Sequence, residues 1–195
     1  MLKLFTNYLD PNLQHKVIGL VMNIIKEAPL ITPVMQNGTK FNISITNCGD
    51  WGWISDKDGY RYVDRHPVTK NKWPELPKLI KDLAYHSALE AGFPKFEPDS
   101  CLINHYKATG KLGLHKDKDE LDFGQPIVSI SLGDSAIFQY KVDNNLIDQK
   151  LNSGDILVIG NEHRLVEHGI KKIIDRTSSL VPGGGRINLT LRRAK

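Results

Sequence analysis

Cysteine is nearly missing from this 195-residue chain: Cys48 and Cys101 are the only two. They lie far apart and form no C-x-x-C pair, which argues against a zinc ribbon and calls for no disulfide. That usage fits a reducing cytosol. Long hydrophobic runs are missing too. The longest apolar stretch, Val17 to Ile25, is broken by Gly19 and Asn23 and falls far short of the ~20 residues that cross a bilayer. Polar Thr6 and Asn7 follow Met1–Phe5 directly, so the start does not read as a signal peptide. A soluble, cytoplasmic protein with no membrane partner is the expectation. No internal repeat or low-complexity tract interrupts the chain. Neither sign of charge dominates: 26 Lys and Arg stand against 22 Asp and Glu, a net +4. This mild basic bias permits a nucleic-acid partner without requiring one.

What is present suffices for one real core, with 40% hydrophobic and 25% charged residues, ordinary values for a globular chain. A helix is expected from Asp10-Pro11 through Lys26, where Val17, Leu20, Val21, Ile24 and Ile25 recur at helical spacing and Pro29 stops it. A second is expected from Pro77 to Ala91, ended by Gly92. Phe41–Thr46 alternates as a strand, and residues 50 to 75, rich in Gly, Asp, Pro and aromatics, read as hairpins and loops. Pro126–Gly133 alternates apolar and hydroxyl residues as a half-buried strand would, and Asp155–Gly160 reads as a buried strand entering a turn. Helices first and short strands after give an α+β class.

Chemistry concentrates in His115-Lys116-Asp117, His168 and the closing run Arg186-Ile187-Asn188-Leu189-Thr190-Leu191-Arg192. Two imidazoles and one carboxylate are the ligand set of a non-haem Fe(II) centre with open coordination positions. An H-x-D spacing suits a strand or its end, where side chains two apart share a face. An isolated triplet of this kind is most often a surface turn, and His105 and His163 need no metal role. Here, however, both ligand-bearing segments abut predicted strands. Iron that activates O2 needs two electrons, and a dicarboxylic cosubstrate supplying them needs cationic anchors. Arg186 and Arg192 share a strand face, and a planar guanidinium pairs two-pronged with a carboxylate. The competing reading is a basic tail, since Arg193 and Lys195 follow.

Asn104-x-Tyr106, Leu114–Glu120, Pro126–Gly133, Ala136–Gln139, His168-Gly169-Ile170 and the R-x-N-x-T-x-R closure occur in the order seen in the AlkB family, which the chain resembles over roughly residues 45 to 193. Thr46–Gly49, Gly52–Asp56 and Gly59–Tyr62 resemble its bacterial members. The resemblance implies a double-stranded β-helix, or jelly roll. Residues 101–195 would form the catalytic core, and residues 1–100 the flanking helices and a nucleotide-recognition lid. It implies Fe(II) at His115, Asp117 and His168, with 2-oxoglutarate and O2 as cosubstrates. The 2-oxoglutarate would be held by Arg186 and Arg192, with hydrogen bonds from Asn104, Tyr106 and Asn188. The implied activity is oxidative dealkylation of N-alkylated bases such as 1-methyladenine and 3-methylcytosine. The partner would be single- or double-stranded DNA, with RNA as a second polymer, and the enzyme would act as a monomer.

Within this resemblance Trp53 and Tyr60 bind the substrate, with Tyr62 nearby, and Asp119 meets the exocyclic amine or cationic ring of the damaged base. Stacking on an extruded base needs an exposed aromatic face. Aromatics in this segment also suit plain packing, the reading favoured for Trp51 and Trp73, and Lys118-Asp119-Glu120 also suits a solvated charged turn. Lys3, Lys40, Lys57, Arg61, Arg65, Lys70 and Lys72 make the first part of the chain basic, and lysines lining a lid would hold phosphates without reading sequence. Two stretches depart from the bacterial pattern. Lys141–Asn145 carries one lysine where a more basic loop is expected, and Ile159 and Val166-Glu167 replace bulkier aromatics. Two alternatives remain: a 2-oxoglutarate-dependent hydroxylase of a protein or small molecule, and a metal-free jelly-roll binding module.

Overall fold

In a computed structural model, which describes residues 1–195, Asp10 starts the first helix by accepting a 2.9 Å hydrogen bond from the Leu13 N–H. Helix α1 spans Pro11–Glu27 and buries Val17, Val21 and Ile24 of the expected stripe together with Ile18, while Leu20 and Ile25 are half-buried. Helix α2 spans Lys78–Glu90. It stops before Gly92, whose φ of +90° is the left-handed backbone that glycine adopts freely. Neither helix is long and apolar enough to cross a membrane. Asp10→Ala should cost about 1 kcal/mol, the usual worth of an N-cap, read as a lower urea midpoint at unchanged slope. An unchanged midpoint would show that the cap contributes nothing.

Both helices pack on one face of a six-stranded antiparallel sheet. Its order is β1 (Leu2–Phe5), β10 (Ile156–Ile159), β7 (Ile127–Gly133), β12 (Arg186–Arg192), β5 (Ser100–Tyr106) and β2 (Ser44–Gly49). Val17, Val21, Ile80 and Ala84 meet Ile187, Leu189 and Leu191 there. A second sheet covers the other face, in the order β6 (Leu112–His115), β11 (His168–Ile174), β8 (Ser135–Val142) and β9 (Asn145–Leu151). Tyr106, Ile127, Phe138, Leu157 and Ile170 fill the space between the sheets. Two facing antiparallel sheets with flanking helices are the jelly roll expected. A separate ribbon, β3 (Gly52–Asp56) with β4 (Gly59–Val63), stands beside them.

Three expectations change. The strand placed at Phe41–Thr46 lies at Ser44–Gly49, because β5 pairs residue by residue with that span. Phe41 instead donates its N–H to Pro33 in a preceding turn. Strand β1 was not anticipated at all: four residues are too few for a period, and only β10 gives them a partner. With β1 and β2 closing the two edges of the core sheet, the boundary drawn at residue 100 does not separate core from lid. Cys48 and Cys101, distant in sequence, are direct cross-strand neighbours, and both are free thiols. The Lys141–Asn145 stretch is a tight hairpin whose Asp143 and Asn144 take the positive φ values that a two-residue turn needs.

Candidate active site

His115 ends β6 and His168 opens β11, and antiparallel pairing sets them directly opposite one another. Their ring centroids are 4.7 Å apart. Gly169 permits this close approach, since a Cβ there would strike the carbonyl oxygen of Leu112 on β6. Each imidazole turns its Nδ1 to a backbone carbonyl, Gly113 at 2.9 Å for His115 and Val166 at 3.0 Å for His168. A carbonyl only accepts, so the proton sits on Nδ1 and Nε2 keeps its lone pair for a metal. The Nε2 atoms lie 3.7 and 3.8 Å from the two carboxylate oxygens of Asp117. All three ligand atoms fall within 4.8 Å of one another.

Electrostatics favour the ligating forms. Burial lowers the pKa of His168, which keeps the ring neutral. Burial alone would raise Asp117, but the Arg192 guanidinium beside it outweighs this and holds the carboxyl well below its usual range. Two neutral nitrogens and one carboxylate fit Fe(II) with positions left open.

Every residue of β12 is buried. Ile187, Leu189 and Leu191 face the helices, while Arg186, Asn188, Thr190 and Arg192 line a cavity of about 620 Å³ between the sheets, the one that also holds the trio. The basic-tail reading is thereby excluded. Arg186 is 0% exposed. Its Nη2 donates to Ser131 Oγ at 2.8 Å, but Nε and Nη1 have no partner in the protein. Burial lowers its pKa only to about 10, so it stays charged at neutral pH. Leaving buried donors of a cation unpaired costs upwards of ~1–3 kcal/mol each, which makes Arg186 a site for an anion. Tyr106 lies directly across the sheet from it. Burial raises this phenol to about 12, so it remains a donor, and Asn104 joins it in the cavity wall.

Arg192 differs from Arg186. It donates to Asp117 Oδ2 at 2.7 Å, and its Nε lies 3.3 Å from Glu120. Burial opposes its charge, but these carboxylates more than restore it. The amide nitrogen of Asn188 is committed to Ser129 Oγ at 2.8 Å and the Ile130 carbonyl at 3.1 Å, and its oxygen accepts from Thr190. Asn188 therefore lines the cavity with its amide already hydrogen-bonded to β7. The hydroxyls of Ser129 and Ser131, expected on a half-buried strand, support Asn188 and Arg186 because the second sheet covers that face.

The ribbon brings Trp53 and Tyr60 to the cavity mouth, stacked with centroids 5.7 Å apart and planes 20° off parallel. Tyr60 is 49% exposed. Trp53 Nε1 donates to Asp119 Oδ2 at 2.8 Å. Tyr62 does not line the cavity; its hydroxyl donates to Glu120 at 2.5 Å. Trp73 packs with Ala28 and Ile54, whereas Trp51 lies beneath the Lys195 ammonium. Arg61 is closed in a two-pronged pair with Asp56, and Lys3 donates to the Glu90 carbonyl.

Glu120 and Arg164 are the polar residues that sequence reasoning missed. Glu120, read as part of a solvated turn, has its side chain 2% exposed and pairs with Arg164 at 3.0 Å. Only the density of charge between Lys116 and Glu120 hinted at a buried acid, and a turn in water carries the same signature.

A jelly roll holding two histidines and an aspartate beside a buried, half-paired arginine defines a non-haem iron oxygenase that takes an anionic cosubstrate. The chain belongs to the 2OG-Fe(II) oxygenase superfamily, whose profile matches residues 1–192, and within it to the AlkB family. It is 42% identical over 190 residues to an alpha-ketoglutarate-dependent dioxygenase AlkB homolog of Caulobacter vibrioides, covering 96% of this chain and 84% of that one. To the alpha-ketoglutarate-dependent dioxygenase AlkB of Escherichia coli it is 39% identical over 186 residues, covering 94% and 86%. Its structure matches that of OsALKBH1 with a TM-score of 0.86 at 29% identity, over 98% of this chain and 96% of the other. It is an Fe(II)- and 2-oxoglutarate-dependent dioxygenase, with O2 as the second cosubstrate.

Proposed function

We propose that this dioxygenase oxidatively removes alkyl groups from N-alkylated bases, 1-methyladenine and 3-methylcytosine among them, in single- or double-stranded DNA and in RNA. One observation carries the reading: the cavity that holds the iron ligands and Arg186 opens between a stacked aromatic pair, Trp53 and Tyr60, and a carboxylate, Asp119. That combination suits a flat, cationic guest. Iron held there would activate O2, the oxidant, with two electrons drawn from 2-oxoglutarate, so that succinate, CO2 and an aldehyde are released. The protein binds and orients. His115, Asp117 and His168 hold the metal, Arg186 and Arg192 with Asn104, Tyr106 and Asn188 take the 2-oxoglutarate, and Arg192 also steadies Asp117. The β3–β4 ribbon serves as the nucleotide-recognition lid. Trp53 and Tyr60 stack on the extruded base, and Asp119 answers its positive charge; Tyr62 contributes by fastening the lid through Glu120. The enzyme acts as a monomer in this reading, and two free buried thiols fit action in the reducing cytoplasm.

The test is mass spectrometry of methylated oligonucleotides incubated with protein, Fe(II), 2-oxoglutarate and ascorbate. Stacking contributes ~1–3 kcal/mol per base, so Trp53→Ala should lower kcat/KM by roughly 10- to 100-fold while 2-oxoglutarate binds as before. Asp119→Ala should weaken repair of cationic 1-methyladenine more than that of a neutral adduct. Because Trp53 holds Asp119 by a hydrogen bond, the double variant should lose less than the sum of the single losses. If both single variants repair normally, hydroxylation of a protein or small molecule becomes the better reading.

A further inference from the structure

Asp117 sits in a segment with no regular structure. Between β6 and β7, residues 116 to 126 form neither helix nor strand, so no ladder of backbone hydrogen bonds sets the path of the ligand. Another element does this. Arg164, in the turn four residues before His168, is buried and spreads its guanidinium across that segment. Its Nη1 donates to the backbone carbonyl of Asp117 at 2.9 Å, its Nη2 to the Glu120 carboxylate at 3.0 Å and its Nε to the Gln125 carbonyl at 2.9 Å. Glu120 receives Tyr62 on its other oxygen and faces Arg192 Nε at 3.3 Å, while Arg192 grips Asp117 Oδ2 at 2.7 Å. The backbone and the carboxylate of Asp117 are thus held from two sides by two arginines, and Glu120 lies between them. Two buried cations, one buried carboxylate and the largely covered Asp117 leave this cluster neutral.

We propose that Arg164 and Glu120 are positioning residues for the metal site, fixing the Asp117–Gln125 segment so that Asp117 gives one oxygen to Arg192 and keeps the other for the metal. The inference rests on Asp117 being a ligand. Neither residue belongs to the metal-binding trio, and neither hydrogen-bonds the cosubstrate anchor Arg186. The chemistry requires the geometry rather than the charge alone. Were the carboxylate free to rotate, both of its oxygens would compete for the metal and Arg192 would lose its acceptor. Partners that orient ligating groups typically account for 10- to 100-fold in metal affinity. Arg164 also ties the two ligand-bearing stretches to one another, since its own chain position leads directly into His168.

Co(II) is the probe, because its visible absorption reports ligand geometry. Arg164→Lys keeps a cation but can reach only part of the three-acceptor set, and Glu120→Asp keeps the cluster neutral while shortening the bridge. For each, folding is checked by circular dichroism and Co(II) affinity is measured by titration. The expected result is a folded protein whose Co(II) affinity falls about 10- to 100-fold with a shifted, broadened absorption band. A folded Arg164→Lys or Glu120→Asp with wild-type affinity and band shape overturns the proposal. Loss of the fold in both overturns it as well, because the ion pair would then be a general structural element. The ligand assignment itself fails in a different way: Asp117→Ala would bind Co(II) as the wild type does.

Discussion

Cutting His115 back to alanine is expected to abolish iron retention and turnover while leaving the fold near its normal stability. Its side chain is 37% exposed at the cavity rim and makes one hydrogen bond, to the Gly113 carbonyl, so its removal strands no buried charge. Asp117→Ala should be equally inactive but less stable. Asp117 is buried against Arg192, and stripping one partner from a buried ion pair costs ~3–5 kcal/mol when nothing replaces it. Here Glu120 remains 3.3 Å from Arg192, so the loss should fall below that range. Metal content after dialysis, single-turnover repair and thermal unfolding together separate the two effects. If either variant retains iron and near-normal activity, the trio is not the metal site.

Arg186→Met should raise the 2-oxoglutarate requirement by roughly a hundredfold or more, since a carboxylate deprived of a buried charged partner loses on the order of 2–5 kcal/mol. The substitution should not destabilise the protein in the absence of cosubstrate. Arg186 carries two buried donors with no partner, and an apolar side chain of similar length removes that cost. Thermal unfolding with and without 2-oxoglutarate reads both outcomes: a melting temperature at or above wild type alone, and little further rise on adding the cosubstrate. An unchanged requirement would strip Arg186 of the anchor role. Arg192→Met should behave differently and lower stability outright, because Arg192 already compensates Asp117 and Glu120.

The chain's own order of residues determined more of the chemistry than of the architecture. Helical spacing placed α1 and α2 within a residue or two, and strand alternation put Arg186, Asn188, Thr190 and Arg192 on one face. Local periodicity follows from bond geometry, so it can be read without knowing the fold. The three metal ligands were legible because open-site iron chemistry tolerates few ligand sets. What lies over a face is a different matter. That the polar side of β12 is buried, that Ser129 and Ser131 support it, and that His115 faces His168 all depend on pairings between segments remote in sequence. Edge strand β1 exists only because β10 accepts it. Glu120 and Arg164 look like surface charges until the fold removes water from both, and only then must each find the other. Burial is a property of the assembled sheets, and whether a charge becomes a solvated ornament or a structural clamp was decided there.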